Sequence, residues 1–226
     1  MDILAEIGPA GQAAAQSTSR GEADYGRSIR AAARGLLTGV FDEDQFVVAM
    51  WGIVNRGLTN AFVEGMEQAG ATREALDTPD FLPERLELDK LINGNWESLF
   101  NFSAFIIQQR DANYLQGQKQ VALNHVMNRA LLWSNQYDKA RVTARTMVSR
   151  DAPMTWVLST TTKEHCHSCL TFDGRTYRAS TWAKYDALPR SYRLCCKGFR
   201  CGCDLVPAMP GTRITPGRFP EKALCN

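Results

Sequence analysis

Apolar residues recur at Phe46, Ala49, Met50, Ile53, Val54, Leu58, Ala61 and Phe62. Steps of three and four put them on one stripe of a helix about 17 residues long. Asp42 stands where a cap is needed, and Gln45 can reach back from N3 in a variant capping box. Phe41 and Phe46 occupy the N′ and N4 positions of a hydrophobic staple. Gly70 is the expected stop. Thr78-Pro79 and Leu82-Pro83 mark residues 71–83 as a connector. A second helix is expected from Glu84, burying Leu88, Leu91, Ile92, Leu99, Phe102 and Ile106, with a kink or break at Gly94. A third runs from Gly117 to Ser149 on Val121, Val126, Met127, Ala130, Leu131 and Trp133. Asp138, Arg141 and Arg145 fall one turn apart on it. His125, alone in this helix, reads as a hydrogen-bonded or surface histidine.

The ends of the chain differ from this middle. Residues 8–24 are small, polar and poor in anchors, so residues 1–35 are expected to form a mobile or extended arm. Arg27, Arg30 and Arg34 share one face of a short helix there, a solvated face or a contact for nucleic acid or an acidic partner. Helical periodicity stops at Asp151. Residues 156–161 form a β-type run, and residues 171–177 read as a hairpin with Asp173-Gly174 as its type I′ turn. Pro207, Pro210, Pro216 and Pro220 predict an extended tail. The fold class is therefore α+β: an α-helical domain over 36–150, a small β-rich Cys-rich module over 151–206, and a Pro-rich extended tail over 207–226.

The candidate chemistry is concentrated in that module. Six of seven cysteines and two of three histidines lie in the 39 residues from His165 to Cys203. Cys166 and Cys169 have the C-x2-C spacing that lets two thiolates on one tight turn face the same metal. Cys196, Cys201 and Cys203 offer the rest, so five candidates compete for four tetrahedral places. Adjacent residues point apart, which sets Cys195 aside. The favoured set is Cys166 and Cys169 with two of Cys196, Cys201 and Cys203. Thiolate-rich tetrahedra select zinc, or less often an iron–sulfur cluster. A single structural zinc ion is expected, holding a module too small to hold itself. Gly198 and Gly202 would supply positive φ to a chain wrapping a metal. Cys225 is isolated and expected to be free.

Composition is that of an ordinary soluble chain, 44% hydrophobic and 22% charged, with net charge +2. The charge is uneven: residues 1–149 carry 14 basic and 18 acidic groups, residues 150–226 carry 12 and 6. The N-terminus is acidic without a long apolar run, so no secretory signal is expected, and no stretch of roughly 20 apolar residues stands out. A reducing compartment follows from this reading and favours metal over disulfides.

Several of these residues resemble the C-terminal module of phage minor head proteins of the Mu F-like family. They are Trp156-Val157-Leu158, Thr162-Lys163-Glu164-His165-Cys166 with Cys169, and Leu170-Thr171 with Asp173-Gly174. Trp182, Leu188-Pro189 and Cys196-x-Gly198-x-x-Cys201-Gly202-Cys203-x-Leu205 complete the likeness. It covers about 50 residues well. Where many such proteins have a histidine shortly before the final Cys-x-Cys, this chain has Cys195 and Cys196. The resemblance implies a structural minor head protein of a tailed bacteriophage virion, associated with the portal or head–tail region and acting in head assembly or genome delivery. It implies other virion proteins as partners (portal, capsid or connector), an oligomer within the particle, no membrane span, and the host cytoplasm as the place of assembly.

Two other function classes are weighed. A zinc-ribbon-like DNA-binding module would use the interleaved Arg175, Tyr177, Arg178, Trp182, Lys184, Tyr185, Arg190, Tyr192, Arg193, Lys197 and Arg200, and would touch packaged DNA. A His-Cys nuclease would use His165 or His167 as general base. A four-cysteine site leaves no open position for catalysis, and no His-x-Glu precedes a Pro-Cys-x-x-Cys as a zinc deaminase requires. The chain is expected not to be an enzyme.

Overall fold

A computed structural model describes residues 20–160, 164–198 and 201–225. Among the described residues five α-helices come first: α1 (Arg20–Thr38), α2 (Glu43–Gln68), α3 (Leu82–Asn93), α4 (Trp96–Gln109) and α5 (Lys119–Ser149). The expected capping box forms at Asp42, whose carboxylate accepts from the Gln45 amide at 2.8 Å while the Gln45 side chain accepts from the Asp42 amide at 3.1 Å. Gly94 falls at the break between α3 and α4. His125 lies exposed on α5, with Nδ1 2.8 Å from Gln109 Oε1.

α2 packs against both α1 and α5. It is apolar around much of its circumference, as a central helix should be. By length and composition α2 is apolar enough to cross a membrane, which the sequence reading missed. In the fold Phe46, Met50, Val54, Leu58 and Phe62 are buried in the bundle core, and that packing accounts for its composition. Gly65 permits the close crossing with α5: a Cβ there would stand 2.0 Å from the Arg141 carbonyl oxygen.

The arm expected over 1–35 is corrected from Arg20 onward; residues 1–19 lie outside the described residues. Residues 20–38 are helix α1, and Tyr25, Ile29, Ala32, Ala33, Leu36 and Leu37 are core. The few apolar residues among the arginines recur at helical steps, so they form a stripe wide enough to dock against α2 and α5. Arg27 and Arg34 are exposed, and Arg30 between them is half-buried.

After α5 come β1 (Pro153–Val157), α6 (His167–Phe172), β2 (Thr176–Arg178), α7 (Ala179–Lys184) and β3 (Asp204–Pro207). The sheet order is β2-β1-β3 and both pairings are antiparallel, with Met154 opposite Tyr177 and Trp156 opposite Leu205. The hairpin expected at 171–177 is not formed, because Thr171 and Phe172 finish α6. Asp173 has φ −51° and ψ 131°, and Gly174 has φ 67°, with Arg175 N–H donating to Phe172 C=O at 2.9 Å. That is a type II turn; type I′ would need positive φ at Asp173 too.

The C-terminal module, expected to be too small to hold itself without metal, has an aromatic interior of its own. Trp156, Phe172, Tyr177, Trp182 and Phe219 form a continuous aromatic cluster, and Trp182 Nε1–H donates to the Met154 carbonyl at 3.0 Å. The expected tail supplies part of it. Thr215 exchanges hydrogen bonds with Thr176 at 2.8 Å, and Phe219, Ala223 and Leu224 are buried. The prolines keep the segment extended, but its apolar residues return it to the sheet. Cys225 is not free: it forms a disulfide with Cys195.

The module docks on the C-terminal half of α5. Val142 joins the aromatic cluster. Arg145 donates to Gln68, to Asp204 and to the Leu205 carbonyl. Asp138 accepts from Arg141 at 2.6 Å and also from Arg190 of the module. Glu64 completes the group, accepting from Tyr137 at 3.0 Å and from Arg141 at 3.4 Å. Glu22 of α1 reaches the same charges. Burial, then the nearby Asp138, push its carboxyl up to about 7, against the pull of Arg141 and Arg190. A raised folded-state value means the native chain holds a proton that the unfolded chain has lost between pH 4.5 and 7. Stability therefore falls as pH rises through that window. Glu22→Gln should flatten that decline and raise the melting temperature at pH 8; an unchanged pH profile would contradict it.

Candidate metal centre

The site begins with the short helix α6. Cys166 is its N-cap, with φ −72° and ψ 164°, and Cys169 lies at N3. Those positions are about one turn apart, so the C-x2-C spacing brings the two sulfurs to 3.5 Å. The other three cysteines come from the loop between α7 and β3. Lys197 and Gly198 turn that loop with φ 50° and 77°. Of the two glycines expected to have positive φ, Gly198 does. It admits no side chain, since a Cβ would stand 2.6 Å from the Arg190 carbonyl oxygen.

All five predicted ligands meet. Cys166, Cys169 and Cys196 form one group whose sulfurs lie within 4.8 Å of one another, and Cys169, Cys201 and Cys203 form a second. Cys169 belongs to both. Cys169 and Cys201 are 3.8 Å apart. A tetrahedron of roughly 2.3 Å zinc–sulfur bonds has edges of about 3.8 Å, so one edge in each group is already near ligand spacing. Cys169, Cys201 and Cys203 are buried; Cys166 and Cys196 are half-buried. These thiols could hold a metal ion.

The crowding also sets their acidity. Cys201 is pulled far down because its thiolate accepts from Cys169, Cys196 and Cys203. Cys169 is pushed far up, as the donor shared with Cys196, Cys201 and Cys203, and burial adds to this. Arg190 lies close enough for its charge to feel the Cys201 thiolate. A cation entering the cluster would displace the protons the thiols still hold.

Around the cluster Ser168 acts as a tie. Its hydroxyl, fully buried, donates to the Ala223 carbonyl at 2.6 Å and accepts from the Cys195 amide at 2.9 Å. The Cys225 amide donates to the Arg193 carbonyl at 2.8 Å. The Cys195–Cys225 disulfide therefore fastens the tail directly behind the metal-type cluster, and Cys195 turns away from it.

Two features escaped the sequence reading. His165, weighed only as a general base, places Nδ1 3.6 Å from Cys203 Sγ. Its signal was its position immediately before Cys166. The disulfide had a signal in plain arithmetic: five clustered cysteines out of seven leave two, Cys195 and Cys225.

Two of the side chains interleaved for the nucleic-acid reading are interior. Tyr177 and Trp182 are buried core. Arg190 is bound to Asp138, Arg175 Nε donates to the Thr171 carbonyl at 2.6 Å, and Arg178 donates to the Asp151 carbonyl at 3.1 Å. Arg178, Lys184, Tyr192 and Arg193 remain exposed, and Arg175, Tyr185 and Lys197 are half-buried. Phe199 and Arg200 lie outside the described residues. His167 and Glu164 are exposed and take no part in the cysteine cluster. No family model, curated protein or solved structure matches the chain.

Proposed function

We propose that this chain is a structural, non-catalytic component of a tailed-phage particle, a minor head protein acting near the portal in head assembly or genome delivery. Its C-terminal module is clamped by zinc. The observation that supports the metal half is the convergence of five thiols from α6 and the 194–203 loop on one spot. Soft sulfur donors without a carboxylate among them favour zinc over magnesium or calcium. The virion half is supported by the spacing from Trp156 to Leu205 and by its likeness to Mu F-like proteins. In this reading the helical bundle offers the surface for other virion proteins. Its aromatic ladder, half-buried Trp51 with exposed Trp96 and Phe100 at centroid distances of 4.7 and 5.2 Å, is the kind of feature such contacts use.

Elemental analysis of purified protein is expected to return bound zinc, and immunogold labelling of intact particles is expected to mark the vertex carrying the tail. Zinc-free protein with thiols oxidised in pairs would overturn the first half. Absence from purified particles would overturn the second. The DNA-binding reading makes a different forecast, an affinity for DNA that falls steeply with salt.

A further inference from the structure

We propose that the cysteine cluster holds two metal ions bridged by the thiolate of Cys169, an inner ion on Cys169, Cys201 and Cys203 and an outer ion on Cys166, Cys169 and Cys196. This deepens the metal-clamp reading and rests on it. A single four-thiolate site would gather four sulfurs at mutual distances near 3.8 Å. Among the described residues the sulfurs form two groups of three that share one member, with Cys196 also in contact with Cys201 across them. Each group already holds one edge near that spacing: Cys166 to Cys169 at 3.5 Å and Cys169 to Cys201 at 3.8 Å. Both edges run through Cys169, the position a bridging sulfur must occupy.

Charge points the same way. One dication with four thiolates leaves the site at −2 and one thiol of the five unused. Two dications with five thiolates leave −1 and use every sulfur. The smaller residual charge is the easier one to bury. A fourth ligand for the inner ion is at hand in His165, whose Nδ1 lies 3.6 Å from Cys203 Sγ. The outer group, on half-buried Cys166 and Cys196, has solvent for its fourth position. The two ions therefore differ: an enclosed inner one and an outer one with one position open to solvent.

Native mass spectrometry settles the count. The full chain, expressed with added zinc and purified anaerobically without chelator, should carry two zinc ions. Cys166→Ser with Cys196→Ser should carry one. In case that variant does not fold, the zinc-loaded natural chain should also be treated with iodoacetamide, and Cys166 and Cys196 should both resist alkylation. One zinc per chain, or alkylation of Cys166 or Cys196 in the loaded protein, overturns the two-ion cluster and leaves a single-ion clamp standing. No zinc at all removes both.

Discussion

Replacing Cys169 by serine is expected to release the bound metal and unfold the C-terminal module while α1–α5 stay helical. Cys169 is the one sulfur common to both groups. It is buried, so a serine there puts an unpartnered hydroxyl among thiols. The module's aromatic core argues for some stability without metal. Magnitudes decide between the two. Structural zinc contributes about 10–16 kcal/mol in small domains, whereas a domain of this kind is stable by about 5–15 kcal/mol in all. Loss of the ion therefore exceeds or matches what remains. Limited proteolysis should cut in residues 153–207 of the variant and spare the helices, and the far-ultraviolet circular dichroism should keep its helical signal. A module that stays protease-resistant in Cys169→Ser would show that the aromatic core holds it alone, and the clamp reading would fail.

Asp138→Ala should detach the module from the bundle at a cost of about 3–5 kcal/mol, the range for stripping one partner from a buried ion pair. The Asp138 carboxylate, 7% exposed, faces Arg141 and Arg190, each 13% exposed. Removing it strips the nearly dry Arg190 guanidinium of its ion-pair partner and leaves Arg141 with Glu64 alone. Arg190 belongs to the same loop as the clustered cysteines, so the damage reaches the metal site by way of that loop. The expected result is a large drop in melting temperature with faster cleavage around residues 150–153. A drop within the scatter of exposed salt bridges, below about 1 kcal/mol, would show that water replaces the pairing.

The helices were legible because their apolar residues repeat at a period that only one local structure satisfies. The stripe from Phe46 to Phe62, the Asp42–Gln45 box and the break at Gly94 all depend on neighbours within a turn or two. The C-x2-C pair was legible for the same reason, since four residues on one turn fix the distance between two sulfurs. α1 was harder: its apolar residues are few, and only the bundle surface against which Tyr25 and Ile29 pack makes them sufficient. Residues 171–175 show how local signals mislead, because Asp173-Gly174 suits two turn types and the tertiary position of α6 selects one.

Along the chain, spacing and periodicity determined the helical half, the change of texture at Asp151 and the five sulfurs that meet. Only the tertiary structure decided that those sulfurs divide into two groups around Cys169, that Cys195 pairs with Cys225, and that Asp138 and Arg190 join module to bundle. It also turned the proline-bearing tail back into the aromatic core. The reason is range: a helix is set by contacts three and four residues away, whereas these pairings join residues tens of positions apart, and their distances exist only once the chain has folded.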